Sequence, residues 1–469
     1  MVFSSIPFLY YFLPAVLAVY FLTPRKGKNA VLLLASLIFY GWGELRLLPL
    51  MVFTILLCYV CGLGIERSRK RKKRWLLASI VISVGLLGVF KYADFFIGSL
   101  NAVTGLKIPL LHLALPVGIS FYTFQCLSYT IDVYRGSVPA QKNLINFGAY
   151  VALFPQLIAG PIVRYADIAR ELEHREHSWE NAAVGLRRFL VGLGKKVILA
   201  DNFALLIRLF RQSGEKSVLF YWMYAVAFTL NIYFDFSGYS DMAIGLGRVL
   251  GFHFVENFNY PYLSGSVTEF WRRWHISLGS WFRDYVYIPM GGSRVSRWRW
   301  VLNILTVWML TGLWHGAAIR FVLWGAWHGA ALAVHKWTVN RFPSFKKTGA
   351  DMVPWRRVIG IIVTFHVVCF GWIMFRAQDM HSVTLITSQI FNHFNAALIP
   401  QVVSGYGTIF GLMAVGFLLH LLPEAAETWG KRVVTAAPVL AQAVIITVLI
   451  WGIMQIKSSE IQPFIYFQF

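Results

Sequence analysis

The sequence predicts an all-α membrane protein, a polytopic bundle of transmembrane helices with re-entrant or interfacial segments. Of its 469 residues 57% are hydrophobic and only 14% charged, with a mean hydropathy of +0.59, whereas an ordinary soluble domain carries roughly a quarter charged residues. Apolar runs recur along the whole chain, several near the roughly 20 residues a helix needs to cross the hydrocarbon core. They lack the strict apolar–polar alternation of barrel strands. No repeat period or low-complexity linker divides the chain, so residues 1–469 are expected to form one domain.

Expected spans run over residues 7–23, 29–43, 47–65, 75–95, 109–133, 145–163, 185–208 and 217–234. Others follow at 300–318, 320–339, 356–376, 404–423 and 437–455. The first lacks a basic region before it and an Ala-x-Ala-like end, so it is expected to be retained as a span, not cleaved as a signal. The chain has 43 Lys and Arg against 21 Asp and Glu, a net charge of +22 and a pI near 9.9. Nucleic-acid binding is not the reading, because the basic residues cluster in short loops beside apolar runs, as in cytoplasmic loops. Arg25 to Lys28 and Glu66 to Arg74 form two such loops separated by two crossings. Both are expected in the cytosol, which puts the N-terminus outside.

Residues 164–182 form the main hydrophilic insertion and read as a solvated surface helix. The span after it carries Arg187, Arg188, Lys195 and Lys196 on nearly one face. Snorkelling to phospholipid headgroups is favoured for this stripe over binding the phosphates of a nucleotide-like acyl donor. Cys58 and Cys61 form a C-x-x-C without a neighbouring His or acid, and Cys126 and Cys369 stand alone. Buried free thiols are expected, with no disulfide and no metal site.

Chemistry is expected around histidine. Trp-His-Gly-Ala occurs twice, at 314–317 and 327–330, and an ionisable residue inside a membrane is a functional candidate by default. His315 and His328 are thirteen residues apart, about 220° around one continuous helix, so they would face apart. The interruption at Gly316 to Arg320 favours two helices, and then only one His need enter a site. The segment Tyr260 to Asp284 is too polar to span lipid and too aromatic for a solvated loop, so it reads as an interfacial or re-entrant element packed against protein. Its Trp271, Trp274 and Trp281 suit the headgroup level. Within it Glu269 can pair with Arg272 and Arg273, and His275 has no obvious local partner. Upstream, Asp235 and Asp241 end an apolar run, and one or the other is expected to pair with an Arg or orient a His, chiefly as structure. His112, His335, His366 and His420 read as hydrogen-bonded histidines at span ends or on apolar faces, and His174 and His177 as part of the insertion.

At these residues the chain resembles the membrane-bound O-acyltransferases, and within them the branch serving bacterial alginate O-acetylation. The resemblance rests on Met1 to Ser5, Ala114 to Gln125, Phe154 to Ile162, the Asp235 region, Trp271 to Asp284, Leu313 to Gly316 and Pro463 to Phe469. It implies tilted helices around a thinned core, with a tunnel from the cytosol to an outward funnel in a bacterial inner membrane. It also implies that His315 is catalytic and His275 its companion. His315 then removes a proton from the attacking hydroxyl while His275 orients or polarises the reactants. Trp271, Arg273, Trp274, Asp235 and Trp314 are candidate substrate contacts, and His328 is read as a satisfied packing or tunnel-wall residue. Acetyl-CoA is the expected donor, no bound cofactor is expected, and an exported polysaccharide is the ultimate acceptor. A separate extracytoplasmic acetyltransferase is the expected partner beside membrane lipid. Teichoic-acid D-alanylation, a non-catalytic acyl-group transporter and an export-complex scaffold are the alternatives.

Overall fold

A computed structural model describes residues 1–456 except 69, 213–217, 343–352, 378, 393–395, 423–428, 431 and 434–435. The motif Pro463 to Phe469 lies outside the described residues. Among those described there is no β-strand, only an isolated antiparallel bridge between Phe258 and Trp274.

The first helices are α1 (Leu13–Leu22), α2 (Lys28–Glu44) and α3 (Leu48–Arg67). A continuous helical segment, Lys72–Thr104, then contains α4 (Lys72–Leu87), a π turn (Gly88–Tyr92) and α5 (Ala93–Thr104). Arg25–Lys28 and the start of α4 lie at one end of this bundle. Met1 lies at the other, where its backbone nitrogen comes within 3.9 Å of where a Cβ on Gly43 would sit.

Two expected spans are broken. Residues 109–133 become helix only at α6 (Ile119–Arg135), and Ile108 to Leu115 is exposed, non-helical chain. Pro109 and Pro116 remove backbone donors, and Asp94 captures the N–H groups of Leu111 (2.6 Å) and His112 (2.9 Å). His112 is therefore an exposed turn residue with φ 50°, not a core histidine. The other run, 145–163, folds as α7 (Leu144–Ala152) and the single turn α8 (Phe154–Leu157), then buried irregular chain. Pro155 cannot continue the helical ladder, and the N–H of Phe154 is satisfied by Ser36 Oγ at 3.0 Å.

The hydrophilic insertion forms α9 (Tyr165–Glu173), shorter than the expected helix and half-anchored in protein. Arg164 pairs with Asp284 at 2.8 Å, and Arg175 hydrogen-bonds Asn29. Next come α10 (Trp179–Gly194), a π turn (Lys195–Ala200), α11 (Asp201–Gln212) and the long α12 (Val218–Val249). The expected span 217–234 thus continues well past Asp235, because α10 and the π turn after it supply counter-charges to its carboxylates. Asp241 receives Arg188 (2.9 Å) and Lys195 (2.7 Å), Asp235 receives Lys196 (2.8 Å), and Lys196 also reaches Asp201 (2.9 Å). Three of the four stripe cations are therefore held by internal carboxylates, which corrects both the headgroup and the phosphate readings for them.

The aromatic segment forms α13 (Val267–Arg273) and α14 (Ile276–Phe282) with a π extension to Tyr287. It does pack against protein, and Trp274 and Trp281 are buried in the aromatic core, so they present no surface to headgroups. Tyr285 ties it down, donating to Asp132 Oδ2 (2.7 Å) between the guanidinium groups of Arg135 and Arg164. Burial opposes ionisation of Asp284, yet the bonds from Arg283 and Arg164 prevail and hold its carboxyl below the usual range.

An antiparallel hairpin follows, α15 (Arg297–His315) and α16 (Ile319–Arg341), then α17 (Pro354–Arg376), α18 (Met380–Asn392), α19 (Ile399–Gly405), α20 (Gly407–Leu421) and α21 (Val439–Ile456). α19 and α20 meet at 79°. Glycines let the hairpin close, since a Cβ on Gly312 would lie 2.0 Å from the Phe321 carbonyl oxygen and one on Gly325 2.1 Å from that of Trp308. Backbone cannot move aside as a side chain can, so Gly312→Ala is expected to cost about 1–3 kcal/mol. Thermal unfolding in detergent checks this, and an unchanged midpoint would contradict the close packing. All four cysteines are free and buried, as expected.

Candidate active site

His315 is the last residue of α15, and Gly316 to Ala318 break the chain before α16 begins. A helix C-terminus carries partial negative charge, a favourable place for a transient imidazolium. The His315 ring meets Trp314, Trp324 and Phe375 edge-on at 4.9, 5.1 and 5.1 Å. The hairpin, not a continuous helix, sets its relation to His328. Both rings flank Trp324, His328 at 5.0 Å, so the two histidines do not face apart.

His328 also corrects the reading of a satisfied core histidine. It is fully buried among Trp271 (4.9 Å), Trp308 (5.8 Å) and Trp324, and neither ring nitrogen makes a hydrogen bond among the described residues. Its Nε2 lies 2.5 Å from where a Cβ on Gly371 would sit, so the ring is wedged against α17. Aromatic packing, not hydrogen bonding, holds it.

His275 enters from the other side. It precedes α14 with φ 45°, a left-handed conformation that costs a β-carbon residue of the order of 1–3 kcal/mol. Asn257 holds it there. Asn257 Oδ1 accepts from His275 Nδ1 (3.0 Å) and Ser277 Oγ (2.9 Å), while Asn257 Nδ2 donates to Ser240 Oγ (3.1 Å). An amide oxygen only accepts, so the proton is on Nδ1 and Nε2 is left as an acceptor. That Nε2 is buried with no hydrogen bond among the described residues. Ser277 Oγ in turn accepts from Ile162 N at 3.0 Å, and Trp281 donates to Phe124 O at 3.0 Å. The Phe154–Ile162 and Ala114–Gln125 motifs thus converge on α14.

Trp314 lies between the two histidines, 6.0 Å from the His275 ring centroid, and also contacts Phe121 and Phe124. A cavity of about 570 Å³ reaches this point, lined among others by Met1, Glu44, Lys91, Ser120, Trp314 and His315. The other candidates lie in the wall or beyond it. Trp271 and Trp274 are part of the aromatic lattice, against Trp308 (4.4 Å) and Trp372 (4.8 Å) respectively. Arg273 pairs with Glu269 at 2.8 Å, and Arg272 makes no ion pair among the described residues. Asp235 faces Lys196. His335, His366 and His420 are hydrogen-bonded, to Thr268, the Ile362 carbonyl and Tyr262 N.

Sequence reasoning missed Asn257 and Lys91. Asn257 sits in a loop with no local signature. Lys91 did carry a signal, as a lone cation within an apolar span.

The model of the membrane-bound O-acyltransferase family matches residues 34–375. The chain is 39% identical to the probable alginate O-acetylase AlgI of Pseudomonas putida, with all of both chains covered. Its identity to the peptidoglycan O-acetyltransferase of Helicobacter pylori is 33%, over 81% of this chain and 78% of that one. Against the teichoic acid D-alanyltransferase of Bacillus subtilis it is 29%, over 56% and 69%. With a family match spanning most of the chain, and enclosing His275, His315 and the elements around them, the chain belongs to the membrane-bound O-acyltransferase family and is a membrane-embedded acyltransferase.

Proposed function

We propose that the chain takes acetyl groups from cytosolic acetyl-CoA and passes them across a bacterial inner membrane for O-acetylation of an exported, alginate-like polysaccharide, with a separate extracytoplasmic acetyltransferase as its partner. One observation carries this reading. The cavity ending at His315 lies at the Met1 and Glu44 end of the bundle, opposite the basic Arg25–Lys28 turn. With that turn in the cytosol and the N-terminus outside, the cavity faces the exported acceptor. The names of the relatives favour acetyl over D-alanyl as the group moved, because the acetylases align over more of both chains.

In this mechanism an acceptor hydroxyl attacks the thioester carbonyl, and His315 takes its proton. General base catalysis supplies about 10²- to 10⁴-fold, so positioning must supply much of the rest. His275 serves positioning, since its unprotonated Nε2 can accept a hydrogen bond and its strained backbone is fixed by Asn257. Asn257→Leu is expected to lower kcat about 10²-fold through loss of the tautomer and ring orientation. Asn257→Asp, which keeps the acceptor, should recover part of it. Equal losses in both variants would remove the orienting role.

The test of the function uses purified full-length protein with acetyl-CoA labelled in the acetyl group. Release of CoA together with label on the hydroxyls of a uronate oligosaccharide, or as acetate, is expected. Release only from a D-alanyl thioester would move the assignment to D-alanylation, and release from neither would sink it.

A further inference from the structure

Lys91 lies nineteen residues into the 33-residue helical segment Lys72–Thr104, about 28 Å along it at 1.5 Å per residue. It sits on the π turn Gly88–Tyr92, a local widening of the kind frequently found at functional sites. This turn aims Lys91 and Tyr92 at the end of α15. Tyr92 Oη donates to Leu313 O at 2.6 Å, and Lys91 Nζ donates to Trp314 O and to Ser120 Oγ (3.1 Å). Capping two helix carbonyls would explain both residues, but Tyr92 does it with a neutral hydroxyl. A cation inside an apolar span is costly, and a cap does not need one. Both Lys91 partners are neutral acceptors, and among the described residues no carboxylate forms an ion pair with it. An ammonium has three N–H donors, two are used, and Lys91 lines the same cavity as His315.

Resting on the reading that transfer occurs in this cavity, we propose that Lys91 is a further catalytic residue whose remaining N–H binds the acyl carbonyl oxygen and whose charge stabilises the oxyanion formed there. The acceptor oxygen bonds to the carbonyl carbon, its proton passes to His315, and the carbonyl π pair moves onto the oxygen beside Lys91. When that pair returns, the carbon–sulfur bond breaks and the leaving thiolate takes the proton from His315. One ester and one thiol form from one thioester and one alcohol.

The test uses full-length protein in detergent, with acetyl transfer or donor hydrolysis from acetyl-CoA as readout. Lys91→Met and Lys91→Gln are expected to lose about 10²-fold in kcat, the scale for removing one oxyanion donor, with KM for donor and acceptor changed less than about threefold. Lys91→Cys should be equally impaired. Alkylation with 2-bromoethylamine, which restores an ammonium of similar reach, should return at least about tenfold of the lost rate. Alkylation with 2-bromoethanol restores length and a hydrogen-bond donor without charge, and should return none. Wild type treated alike controls for the four native cysteines. Equal rescue by both reagents would reduce Lys91 to a helix cap. A loss confined to KM for an anionic acceptor would make it a substrate-charge contact, and near-normal kcat in Lys91→Met would also overturn the proposal. His315→Ala is assayed in parallel. If it is active, the cavity is not the reaction site and the functional reading itself fails; if it is inactive while Lys91→Met is active, only the role of Lys91 fails.

Discussion

His315→Ala is expected to lower acetyl transfer by about 10²- to 10⁴-fold, the range of a lost general base, while the protein remains inserted and folded. Alanine also removes a ring packed against Trp314, Trp324 and Phe375, and truncating a packed ring costs stability as well. A drop in activity from alanine alone would therefore mix chemistry with packing. His315→Phe fills the space and has no nitrogen, so it separates the two. Both variants should be inactive, with His315→Phe closer to wild type in thermal midpoint. Appreciable transfer by folded His315→Phe would exclude the imidazole as the base.

His328 gives this result a built-in comparison. Both histidines flank Trp324, but the cavity lining includes His315 and not His328. The duplicated Trp-His-Gly-Ala tetrad thus marks two histidines that pack on one tryptophan, of which His315 lines this cavity. Their identical local sequence could not distinguish them. The distinction comes from the chain break at Gly316 and from α17, which walls in His328 at Gly371.

More generally, features set by short-range patterns were legible, whereas those set by pairing across distant segments were not. Apolar runs gave most helices, and the aromatic content of 260–284 gave a protein-packed element outside the spans. The breaks at Leu153 and at 105–118 depend on whether a partner satisfies freed backbone groups. Ser36 does so from 118 residues away and Asp94 from seventeen, while Asn101 acts locally on Ile108. The basic stripe was placed on the correct helix, but its use depended on α12 lying against α10. The orienting partner of His275 is eighteen residues away in an irregular loop, with nothing but an amide to mark it.

The stripe leads to the second large expected effect. Lys196 and Asp235 form an ion pair whose side chains are only 5% and 3% exposed. Its formation is weak evidence of net stabilisation, because desolvation offsets much of the attraction. Its disruption is another matter. Asp235→Ala leaves Lys196 buried with only the more exposed Asp201 as counter-charge, and breaking such a pair typically costs 3–5 kcal/mol. A marked fall in thermal midpoint and in membrane-inserted yield is therefore expected. Replacing both residues, as Lys196→Met with Asp235→Leu, removes the unpaired charge and should recover a large part of the loss. A substrate contact predicts the opposite pattern for Asp235→Ala: near-normal stability with a raised KM, and no benefit from also replacing Lys196. The double-mutant cycle thus decides between a pair that fixes α12 against the helix carrying the stripe and a carboxylate that binds substrate. The burial of both partners favours the pair.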